Sequence, residues 1–78
     1  MAIDEDLVRL RLRCSLLDYL ERNMEHHDEF VGAVKSGTIH DPDTMMRVAD
    51  LRAKRDAALG AHLDQLAEAQ RRGAALVG

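Results

Sequence analysis

Pro42 is the only proline in the chain, and it separates two long stretches that contain almost nothing to break a helix. Between residues 7 and 35 there is no proline and one glycine, Gly32. Leucine, arginine, glutamate and methionine give most of that stretch good helix propensity. A proline ring clashes with the preceding helical turn and donates no amide, but it fits the first position of a new helix. The partition therefore predicts an all-α chain, two helices joined through residues 36 to 41.

Asp4, Glu5 and Asp6 offer an N-cap and an acidic first turn, which suits the positive end of a helix dipole. The first helix is predicted from about residue 4 to 35. One segment carries a competing period: Val8 to Cys14 alternates apolar and charged residues, as a half-buried strand does. Ser36, Gly37, Thr38, Ile39, His40 and Asp41 form the turn. Pro42 pushes Asp41 out of helical geometry, where its carboxylate can cap a second helix running from about residue 42 to 72. Gly73 is placed to end that helix, Arg71 and Arg72 face its negative end, and residues 73 to 78 are read as a frayed tail. Gly60 interrupts the second helix at about 1 kcal/mol relative to alanine; it marks a close crossing or is merely tolerated.

Apolar residues make up 46% of the chain, yet Tyr19 and Phe30 are the only aromatics, so the core must come from Leu, Val, Met and Ala. At 100° per residue, Ile3, Leu7, Leu10, Cys14, Leu17, Leu20, Met24 and Val31 form one stripe of the first helix. This stripe is expected to pack on the second helix, with Cys14 as core. Val8, Leu12, Leu16, Tyr19, Phe30 and Val34 form a second stripe on another side. One partner helix cannot cover both. The second helix is more ordinary, with Met45, Val48, Leu51, Leu59, Leu63 and Leu66 on one side and Ala49, Ala53, Ala57, Gly60 and Ala67 beside them.

A chain of 78 residues buries only about 60% of the surface its unfolded form exposes. The second stripe is accordingly predicted as the interface of a homodimer, two antiparallel hairpins pairing into a four-helix bundle. The competing cover for it is the tail, Ala74, Ala75, Leu76 and Val77, or a bend in the helix. An antiparallel register brings Glu21 near Arg55 and Glu25 or Asp28 near Arg52, as cross-helix ion pairs. The same register holds His62 near residue 15.

The run Glu25, His26, His27, Asp28, Glu29 is rich in metal-capable types, but consecutive helical residues point 100° apart, and neither Glu-x-x-His nor His-Glu-x-x-His occurs. No catalytic, cofactor-binding or metal-binding signature is read from the sequence. Cys14 is the sole cysteine, the net charge is −3 and no apolar run approaches membrane-spanning length. These features predict a cytoplasmic protein without a membrane anchor and disfavour nucleic acid as a partner.

Lys35, Gly37, Ile39, Asp41, Pro42 and Asp43 resemble the helix junction of the all-helical chorismate mutases. The resemblance implies a bundle dimer with an arginine- and lysine-lined site for a dicarboxylate, with Lys35 matching the family's helix-end lysine. It covers about a third of the chain. Thr44 and Met45 stand where that family has Arg-Glu, the chain is too short for the third helix, and no catalytic residue is carried over.

The leading functional expectation is a non-enzymatic interaction or regulatory module, acting as a helical homodimer that docks a further protein. The alternatives are a nucleic-acid-binding hairpin using Arg9, Arg13 and Arg47, and a small mutase-like enzyme.

Overall fold

The computed structural model describes residues 2 to 73, with side chains from Asp6 onward. Two α-helices, α1 (Ala2–Ser36) and α2 (Pro42–Arg71), pack against each other as a hairpin. Among the described residues there is no strand, and Val8 to Cys14 is helical. α1 begins at Ala2, ahead of the expected start, so Asp4, Glu5 and Asp6 lie inside its first turns and none of them is its N-cap; the packing of Ile3 and of Ala74 to Val77 lies outside the described residues.

The turn is built by backbone chemistry. Gly37 takes φ +76°, a left-handed conformation that costs glycine little. Its amide donates to the Val34 carbonyl at 3.2 Å and the Thr38 amide to that of Ala33 at 2.9 Å, the paired bonds of a Schellman cap. The Ser36 hydroxyl donates to the Gly32 carbonyl at 2.9 Å and contacts the Thr38 hydroxyl. Asp41 is extended, as expected before a proline, but its side chain makes no capping bond. The chain instead closes the first turn of α2 through the Met45 amide, which donates to the Asp41 carbonyl at 2.9 Å. Gly73, at φ +68°, ends α2 with its amide on the Gln70 carbonyl. A methyl group at Gly60 would meet nothing within 4 Å, so the glycine is tolerated and marks no crossing within the hairpin.

The molecule measures 54 × 18 × 14 Å. Its radius of gyration is 16.7 Å, against about 11.5 Å for a compact domain of this length. It exposes 5858 Å², where a globular protein of its mass exposes about 4,700 Å². The excess, about 1,100 Å², goes with the elongated two-helix shape.

Candidate interaction surface

The contact between the helices is a seam with steps of four and three. On α1, Val8, Leu12, Ser15, Tyr19, Arg22, His26 and Glu29 are half-buried and Ala33 is buried. On α2, Thr44, Val48, Ala58 and Ala69 are buried and Leu51, Arg55, His62 and Gln65 are half-buried. This is the heptad spacing of an antiparallel coiled coil. Two contacts fix its register: Ser15 Oγ lies 2.7 Å from His62 Nδ1, and Arg47 Nε lies 3.7 Å from a Glu29 carboxylate oxygen. Tyr19 is then level with Ala58, and Ala33 with Thr44. The expected closeness of His62 to residue 15 is thus met.

The stripe turned toward α2 is the reverse of the one expected. Val8, Leu12 and Tyr19, read as dimer interface, line the intramolecular seam, while Leu7, Leu10, Cys14, Leu17, Leu20 and Met24 are exposed. Leu10 and Leu17 are each 52% exposed and Met24 is 63% exposed. These three, at heptad spacing, lie on the side of α1 directly opposite the seam. Cys14 is likewise exposed rather than core. Leu16, Phe30 and Val34, the other half of the expected interface, are exposed on the flank beside it.

The same rotation accounts for the ion pairs. Along the axis Glu21 is level with Arg55 and Glu25 with Arg52, but Glu21 and Asp28 sit on the side of α1 turned away from α2, and neither expected pair forms. Arg55 instead binds Asp56 at 2.9 Å. Glu29 with Arg47 is the cross-helix ion pair among the described residues.

Reversing one helix reverses its sense of rotation, so positions just past the seam on both helices share one flank and positions just before it share the other. Leu16, Phe30, Met45, Leu59 and Leu66 fall on the first flank, which is apolar. Asp18, Glu25, Arg47 and Lys54 fall on the second. There Arg22 lies 3.7 Å from Asp18 and 3.5 Å from Glu25, and Lys54 lies 3.2 Å from Asp50. Exposed pairs of this kind contribute about 0 to 1 kcal/mol each and mainly keep that flank solvated.

His26 packs against Phe30 with ring centroids 5.9 Å apart. Its pKa is held below the ordinary 6.5, first by partial burial and then by the positive charges of Arg55 and Arg52. At the end of α2, Arg71 and Arg72 bind Glu68 at 2.6 and 2.8 Å and hold its carboxyl below the usual range.

Chemically the surface is sparse. Among the described residues no three His, Cys, Asp or Glu side chains gather to hold a metal ion. A surface hollow lined by Glu29, Met46, Arg47, Asp50 and Leu51 is crossed by the Glu29 and Arg47 pair. Of the arginines considered for nucleic acid, Arg47 is engaged by Glu29, and Arg9 and Arg13 are exposed. No described helix is long and apolar enough to cross a membrane. Compared with known protein families, curated proteins and solved structures, the chain matches none.

The polar members of the seam, Ser15, Arg22, His26, Glu29 and His62, escape a reading that follows large apolar side chains. Their signal is the unbroken alternation of four and three, carried by small and polar residues.

Proposed function

We propose that this chain is a non-enzymatic protein-interaction module, of a regulatory or adaptor kind, that acts as a helical homodimer, two hairpins combining into a four-helix assembly. The observation that carries this reading is the exposed row Leu10, Leu17 and Met24 opposite the seam. Isolated surface leucines are ordinary, but a contiguous apolar row at heptad spacing is how a helix presents itself to another helix. Leu16, Phe30 and Val34 extend the row around one flank. The hairpin itself buries mostly small and polar side chains, which leaves its largest hydrophobic contribution to be made on association.

Mass action supplies the test. A helix that depends on association melts at a temperature that rises with protein concentration. The expected result is a dimer by light scattering at micromolar concentration and a concentration-dependent melt, both abolished in Leu10→Lys/Leu17→Lys. An 8.7 kDa monomer whose melt ignores concentration would refute the proposal.

A further inference from the structure

We infer that the second copy lies antiparallel along the outer face of α1, with Leu17 at the two-fold axis. The inference rests on the homodimeric reading and specifies its geometry.

Charge selects the direction. From residue 7 to 17, α1 carries Arg9, Arg11 and Arg13 and no acidic residue. From residue 18 to 29 it carries Asp18, Glu21, Glu25, Asp28 and Glu29 against the single cation Arg22, counting His as neutral. A parallel pair sets the basic half beside the basic half and the acidic half beside the acidic half. An antiparallel pair lays the basic half of each helix along the acidic half of the other, and the helix dipoles oppose as well.

The apolar pattern selects the register. With the axis at Leu17, Leu10 meets Met24 of the second copy and Cys14 comes level with its Leu20. Arg11, on the flank past the row, comes level with residue 23 of the second copy, between the second copy's Glu21 and Glu25 on that same flank. Moving the axis by about one turn toward the C-terminus sets Glu21 against its own copy, and moving it as far toward the N-terminus does the same with Arg13. Both shifts place like charges at the centre of the interface. The Leu17 register is closed and self-complementary, as a two-fold interface requires.

Single cysteines in the full chain, in a Cys14→Ser background, read this geometry directly. A disulfide needs Cα atoms about 4.4 to 6.8 Å apart, so only facing positions link readily. Leu17→Cys should give a disulfide-linked dimer on mild oxidation. Leu10→Cys and Met24→Cys should each stay unlinked alone, yet an equimolar mixture of the two should link, about tenfold faster than either by itself. Circular dichroism of the reduced variants confirms that each remains helical. If Leu10→Cys and Met24→Cys each link to themselves as fast as Leu17→Cys, the pairing is parallel and the inference fails. A reduced dimer in which Leu17→Cys does not link puts the interface in another register or on another face; the inference fails and the homodimeric reading stands. A monomer at all concentrations overturns both.

Discussion

Ser15 Oγ on α1 stands 2.7 Å from Nδ1 of His62 on α2, forty-seven residues away in sequence. The Ser15 hydroxyl has one proton, and its 3.0 Å contact with the Leu12 carbonyl uses it. Both contacts are satisfied together when the imidazole N–H is the donor and Ser15 Oγ accepts. The pair pins the register near the middle of a seam in which large apolar contacts are few.

Replacing Ser15 with alanine leaves the imidazole donor to solvent, and His62→Ala removes the same bond from the other side. In a double-mutant cycle read by thermal or urea melting, the two changes should couple by about 0.5 to 1.5 kcal/mol. Purely additive losses would mean that the bond does not hold the helices in register.

The glycines make opposite predictions. Gly60 sits in ordinary helical backbone with open space around it, so Gly60→Ala should stabilise the fold by about 0.5 to 1 kcal/mol. Gly37 is held at φ +76°, so Gly37→Ala should destabilise it by about 1 kcal/mol or more. Melting curves of the two variants give the comparison. A loss of stability at Gly60→Ala would indicate that another helix closes on the outer side of α2.

His26 gives the fold a pH dependence whose sign follows from its lowered pKa. The unfolded chain takes up a proton near the ordinary 6.5, before the folded one does. The contribution is therefore intact above that pH, falls as the pH drops through it, and levels off below the folded pKa. Partial burial of the ring pushes in this direction first, Arg55, Arg52 and His27 add to it, and Asp56 opposes it. Melting temperatures measured from about pH 8 to about pH 5 should decline, and His26→Gln should flatten part of that decline. An unchanged profile in the variant would assign the dependence to other groups.

Glu29 and Arg47 bridge the helices at 3.7 Å, whereas Glu21 points away from Arg55. Charge reversal at both Glu29 and Arg47 should restore what either reversal loses, within the about 0 to 1 kcal/mol of an exposed pair. The corresponding cycle at Glu21 and Arg55 should show no coupling. Coupling there would require α1 to be rotated from the orientation described.

The sequence by itself determined the number of helices, the turn and the antiparallel register along the axis. Those features are local: a single proline, a glycine that accepts positive φ, propensity summed over thirty residues, and a loop too short to permit anything but reversal. Even the nearness of Ser15 to His62 follows from them. What only the tertiary structure decided is which side of α1 faces α2. Both stripes of α1 have helical periodicity, and periodicity carries no preference between them. The choice depends on how small and polar side chains such as Ala33, Ser15 and His26 fit against Thr44, His62 and Leu51, and that fit exists only when the two helices are together. One rotation of α1 moved Val8, Leu12 and Tyr19 into the seam, turned Leu10, Leu17 and Met24 outward, and separated Glu21 from the Arg55 that lies level with it.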